Sequence, residues 1–147
     1  ILSRQNLPFV QRTKEQISLI QKGGYLLSHE EDADITLVAS GSEVQLILAA
    51  AKSIQNNGFK VNIVSIPCLD KFYLQDQTYR DSVVAPEIPK LVVEALHPDS
   101  WHGLVNLNDK IIGMKTFGES APAGELMVKF GFTEQNIVAE AKKLLTK

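Results

Sequence analysis

The stretch Ile35–Ile54 reads ITLVASGSEVQLILAAAKSI. Its first residues, Ile35-Thr36-Leu37-Val38-Ala39, form a short, β-branched and almost continuous apolar run, the pattern of a parallel strand covered on both faces. Ser40-Gly41-Ser42 turns the chain. Val44, Ile47, Leu48, Ala51 and Ile54 then recur at spacings of three and four, which places them on one face of a helix. Two capping boxes overlap at the helix start, Ser40 with Glu43 and Ser42 with Gln45. The backbone N–H groups of Ser40, Gly41 and Ser42 make this turn a candidate anion site, because a helix start presents donors and a favourable dipole. The caps alone satisfy the same groups, and Glu43 would repel a bound anion. Both readings stand at this point.

Working outward, Asn56-Asn57-Gly58 supplies a C-cap and turn, and Val61–Ile66 is a second strand, closed by Pro67. Strand, helix and strand together make a βαβ unit, whose crossover is right-handed in nearly all cases. Further along, Cys68–Ala85 reads as short helices and loops, and Pro86 and Pro89 bracket a linker. Leu91–Ala95 is a third core strand, a helical turn surrounds Trp101, and Ile111–Met114 is a fourth. Pro122 suits the first turn of a helix over Ala123–Phe130, which Gly131 ends. Thr133 caps a last helix, with Ile137, Val138, Ala141, Leu144 and Leu145 on its buried face.

Upstream, Ile1–Gln11 reads as an extended arm, since Asn6-Leu7-Pro8 disfavours helix. Thr13 and Gln16 make a further capping box, Gly23-Gly24 ends that short helix, and Tyr25-Leu26-Leu27 is a short strand before the acidic loop Ser28–Asp34. The alternation of strands and helices indicates an α/β fold, a three-layer doubly wound sheet of about five strands.

The 147 residues suit one domain with a substantial core. A net charge of -2 without a long basic run argues against a nucleic-acid or anionic-membrane surface. No apolar stretch is long enough to span a bilayer, and the single cysteine, Cys68, excludes an internal disulfide and fits a reducing compartment. A cytoplasmic location follows as the expectation. The start Ile1-Leu2-Ser3-Arg4 carries neither Met nor a signal peptide and reads as the tail of a strand. The chain is therefore expected to be a piece of something larger.

Chemistry-bearing motifs are sparse. The Ser40–Ser42 turn lacks both the G-x-G-x-x-G and the Walker pattern, and there is no G-x-S-x-G elbow. His97 and His102, near Asp99, do not supply a zinc ligand set. Cys68 reads as a buried, inert thiol. Trp101, Phe117 and Phe130 are expected in the core or at an interface. Glu119 reads as a solvated loop acid. Arg4 stands apart, at the end of a strand among polar residues, where an arginine fork suits a phosphate or a carboxylate.

An ordered set of segments spans the chain: Leu2–Pro8, Gly23-Gly24-Tyr25, Val38–Val44, Tyr79-Arg80 with Ser82-Val83, Val93-Glu94-Ala95, Phe117–Ala123 and Phe130–Thr133. In order and spacing it resembles the C-terminal domain of transketolase. That resemblance implies a sheet with one antiparallel strand, for which Tyr25–Leu27 is the expected one. It implies that residues 1–11 are the tail of the preceding pyrimidine-binding domain and a linker, and that residues 12–147 are the C-terminal domain. It further implies a homodimeric enzyme that moves two-carbon ketol units between sugar phosphates, with thiamine diphosphate and Mg2+ or Ca2+ held by its N-terminal and middle domains. No cofactor, metal or catalytic residue is expected in this chain. Arg4 is expected to bind the substrate phosphate, while the domain itself serves structure and dimerisation and is inactive alone. Alternatives are a regulatory anion- or nucleotide-binding module centred on Ser40–Glu43, and the same domain of a related thiamine-diphosphate enzyme such as dihydroxyacetone synthase.

Overall fold

A computed structural model describes residues 6–146. The fold is a five-stranded sheet with helices on both faces. The strands are β1 (Tyr25–Ser28), β2 (Ile35–Ala39), β3 (Val61–Ser65), β4 (Lys90–Glu94) and β5 (Lys110–Gly113), in the spatial order β1-β3-β2-β4-β5. β2 pairs in parallel with both β3 and β4, and β4 pairs in parallel with β5. β1 is antiparallel to β3, the odd strand foreseen at Tyr25–Leu27.

Every residue of β2, β3 and β4 is buried, which explains their near-continuous apolar sequences. Alternation sends Ile35, Leu37 and Ala39 to one face and Val38 to the other. The first face is covered by α2 (Val44–Gln55) and α6 (Glu134–Leu145). α2 contributes Val44, Ile47, Ala50, Ala51 and Ile54, while α6 contributes Ile137, Ala141 and Leu144. Full burial of a side chain such as Ile47 stabilises by about 1.5–3 kcal/mol. The Ser53 hydroxyl donates to Glu134 Oε1 at 2.7 Å and ties the two helices.

The opposite face packs Val38, Val64 and Val92 against Phe72 of α3 (Leu69–Tyr73), Val83 of α4 (Gln77–Val83) and Trp101 of the short turn Pro98–Trp101. α1 (Lys14–Leu19) has the expected capping box of Thr13 and Gln16. The side-chain amide of Gln16 also donates to the carbonyls of Leu26 and Leu27, which fastens α1 to β1.

The sequence reading and the structure differ in details. Pro122 is the N-cap of α5 (Ala123–Lys129) and not a first-turn residue. Of the aromatics expected in the core or at an interface, Trp101 is buried and Phe130 half-buried, while Phe117 is 96% exposed and lies outside the core. The third core strand begins one residue early, at Lys90, a lysine with only 2% exposure. Its ammonium donates to the carbonyls of Pro86 and Ile88 and to Asp109 Oδ2, so all three hydrogens are used and the charge is paired. Asp109 in turn accepts from the Lys90 and Asn106 backbone N–H groups, which joins β4 to the loop before β5.

Two glycines with positive φ separate strain from crowding. Gly58, at φ 89°, closes α2 with open space where a Cβ would lie. Gly23, at φ 90°, would place a Cβ 2.4 Å from the Cys68 carbonyl oxygen and 2.5 Å from the Phe72 nitrogen, both backbone atoms. Gly58→Ala is expected to cost about 1 kcal/mol or less, since unfolded-state entropy offsets part of the left-handed strain. Gly23→Ala is expected to cost at least about twice as much, because backbone cannot yield cheaply. Urea unfolding of both variants checks the ranking.

Candidate functional site

In an open parallel sheet the crevice for ligands opens at the C-terminal strand ends, where consecutive connections leave in opposite directions. Here β2 leads through α2 to β3 on one side, while β4 lies on its other side. The switch point therefore falls at the ends of β2 and β4, where Ser40 and Glu94 stand.

Ser40 begins the turn, and Gly41–Glu43 form one 3-10 turn that runs into α2. Gly41 adopts φ 48°, with open space at its Cβ position. The two capping boxes expected from the sequence do not form. The backbone N–H of Glu43 donates instead to the Ser40 carbonyl at 3.1 Å. The Ser40 hydroxyl donates to Glu94 Oε2 across the switch point, and the Ser42 hydroxyl donates to Glu43 Oε1 at 2.7 Å. The Ser40 hydroxyl thus meets Glu94 across the sheet and the Ser42 hydroxyl its neighbour Glu43, and neither caps the helix start. Glu43 and Glu94 are 4% and 5% exposed. An anion at Ser40, Gly41 and Ser42 would meet two buried carboxylates whose oxygens already use the nearby hydroxyls. Glu94 itself is pushed above the ordinary carboxylate range, first by burial and further by the charge of Glu43, against the opposing hydrogen bonds from Ser40 and the Ala95 backbone.

Beside the turn, the arm that follows residue 5 runs past the start of α2. A cavity of about 390 Å³ lies between them, lined by Leu7, Phe9 and Arg12 of the arm and by Gly41, Ser42 and Gln45. Arg12 anchors the arm: its Nε donates to the Tyr25 hydroxyl at 2.5 Å and its Nη1 to the Val10 carbonyl at 2.8 Å. Arg4, the sequence's candidate for a phosphate, lies outside the described residues.

The remaining sequence candidates are not brought into this site. His97 and His102 both face Asp99, at 3.3 and 3.6 Å, on an exposed turn. Glu119 pairs with Lys129 at 2.6 Å in solvent. Cys68 is half-buried beside Gly23, whose carbonyl accepts its backbone N–H. Among the described residues no group of three or more His, Cys, Asp or Glu side chains could hold a metal ion, and no helix is long and apolar enough to cross a membrane. Sequence reading missed Glu94. It ends an apolar strand, and only the neighbouring position of β2 reveals that its carboxylate meets Ser40.

The direction of the Glu94 shift fixes a pH dependence. A carboxyl whose folded pKa is raised binds its proton more tightly in the folded state. The stability linked to it is therefore fully present below the unfolded-state pKa and is lost as pH rises through the folded-state pKa. Glu94→Gln removes this titration. Thermal unfolding measured against pH is expected to show the variant gaining on the wild type as pH rises from acid toward neutrality. A constant difference across that range would assign no such shift to Glu94.

Comparison with known proteins gives a consistent result. A family model described as the transketolase-like TK C-terminal domain matches residues 23–133. Transketolase 1 of Escherichia coli strain K12 is 46% identical over 147 residues, covering 99% of this chain and 22% of the relative. Transketolase 1 of Vibrio parahaemolyticus is 45% identical with the same coverage. The chain thus spans about a fifth of the length of the curated relatives it matches. Among solved structures, a transketolase mutant from Pichia stipitis superposes with a TM-score of 0.88 at 34% identity, over 97% of this chain and 20% of that one. The transketolase of Leishmania mexicana gives 0.82 at 36% identity, over 88% and 19%. With more than half of its residues matched by the family model and the same sheet in the solved relatives, this chain belongs to the transketolase-like C-terminal domain family.

Proposed function

We propose that the chain is the C-terminal domain of a transketolase, an enzyme that transfers two-carbon ketol units between sugar phosphates. The observation that supports this most directly is the 46% identity to a transketolase along 99% of the chain, with a solved transketolase superposing over 97% of it at a TM-score of 0.88. A transketolase from Pichia stipitis has been solved in complex with sedoheptulose-7-phosphate, which fits sugar phosphates as the substrate class. On this reading residues 1–11 are the tail of a pyrimidine-binding domain and a linker, and residues 12–147 are the C-terminal domain.

The described residues do not fit thiamine diphosphate and its divalent metal. They hold no metal-ligand cluster, and the buried carboxylates Glu43 and Glu94 would oppose a diphosphate at the switch point. We assign that cofactor, with Mg2+ or Ca2+, to the N-terminal and middle domains. The share of this chain is substrate positioning and support. Arg4 is the residue we assign to the substrate phosphate: a planar cation holds a remote phosphate, and the binding energy orients the reacting carbons. Exposed Phe9 and Phe117 are apolar surface suited to the other domains or to the second subunit of a homodimer. A cytoplasmic location accords with this reading.

Two measurements test it. The chain alone is expected to show no ketol transfer and no binding of thiamine diphosphate; turnover by the isolated chain would overturn the assignment. In the enzyme that carries this chain, Arg4→Ala is expected to raise KM for phosphorylated acceptors about tenfold or more, the loss of a charge-assisted contact. Unphosphorylated acceptors are expected to change little. Equal effects on both classes would remove Arg4 from the role.

A further inference from the structure

The arm that follows Arg4 in the sequence is held to the domain through Arg12. Residues 6–13 form no helix or strand, and all of them except Val10 and Arg12 are exposed. Phe9 keeps 90% of its surface open to solvent, so burial of apolar area gives the arm little hold. Among the described residues, the hydrogen bond made to residues 6–11 is the one that the Val10 carbonyl accepts from Arg12 Nη1, at 2.8 Å. Arg12 Nε donates at the same time to the Tyr25 hydroxyl, at 2.5 Å. The guanidinium therefore grips the arm with one nitrogen and the sheet with another.

The acceptor on the sheet is rigid. Tyr25 is 1% exposed and belongs to β1, where it stands opposite Ser65 of β3. On the other flank, Thr13 follows Arg12 directly and is the N-cap of α1. A planar guanidinium engaged at two nitrogens is fixed in orientation as well as in place. Upstream of Val10, Pro8 fixes its own φ and biases Leu7 toward extended backbone, so few soft dihedrals remain along this part of the arm. Arg4 stands eight residues before Arg12, at most about 28 Å of extended chain.

We propose that Arg12, held by the Tyr25 hydroxyl, is a positioning residue that sets the course of the arm and, through it, presents Arg4 to the substrate phosphate. This rests on the reading of Arg4 as the phosphate ligand. Arg12 and Tyr25 touch no substrate in this role. An arm of fixed course leaves its arginine less freedom to lose when the phosphate binds, so the contact costs less entropy. A loosened arm weakens the hold on the phosphate and leaves the chemical step as it was.

The test uses the enzyme that carries this chain. Tyr25→Phe removes one oxygen and keeps the buried ring. It is expected to raise KM for phosphorylated acceptors about three- to tenfold, the worth of roughly one hydrogen bond, with kcat little changed. Arg12→Met is expected to act in the same way, and Arg12→Lys to recover part of the loss, because an ammonium can still donate to Tyr25. Backbone hydrogen exchange over residues 6–12, read by mass spectrometry, is expected to speed up in Tyr25→Phe. In an Arg4→Ala background Tyr25→Phe should raise KM no further, since its effect runs through Arg4. Unchanged exchange would overturn the proposal, and so would an equal rise in KM for unphosphorylated acceptors or an undiminished effect in the Arg4→Ala background. If Arg4→Ala discriminates against phosphorylated acceptors and Tyr25→Phe does not, the positioning role alone falls. If Arg4→Ala itself shows no such discrimination, the reading of Arg4 falls and this inference with it.

Discussion

The constraint on which the molecule depends is the complete burial of β2. All five of its residues are shielded, so its backbone groups on both edges must find partners within the sheet. β3 supplies them on one side and β4 on the other, both in parallel. Parallel neighbours require crossovers, and the two faces of β2 require covers, so the helices serve both needs at once. α2 and α6 close one face; α3, α4 and the Trp101 turn close the other. The same requirement creates the switch point, because the chain must leave one side of β2 and return on the other.

What stands at that switch point is unusual for a ligand crevice. Two carboxylates, each about 5% exposed or less, take the hydroxyl donors of the turn for themselves. The short bond from Ser40 to Glu94 spans the two central strands and joins their ends. Glu94 sits in an environment that disfavours its charge, so the crevice is filled by an internal polar contact and not left open to a substrate.

The buried Lys90 shows a similar economy at the other end of the sheet. It joins the start of β4 to the Pro86 and Ile88 carbonyls and to Asp109.

Sequence alone determined the element order, the buried strands and the amphipathic faces, because hydrophobic periodicity is a local signal that burial writes into each segment. It determined the short strand Tyr25–Leu27, the Thr13 and Thr133 caps and the glycine stops, since these rest on neighbours within a few residues. Its motif order also carried the family. Tertiary structure alone decided the partner of Ser40, whose hydroxyl donates to Glu94, 54 residues later, and makes no helix cap. It decided that Lys90 is buried and that Phe117 is not. Contacts between distant segments leave no periodic trace in either segment, so charge pairing and donor competition become legible only when the sheet brings the partners together.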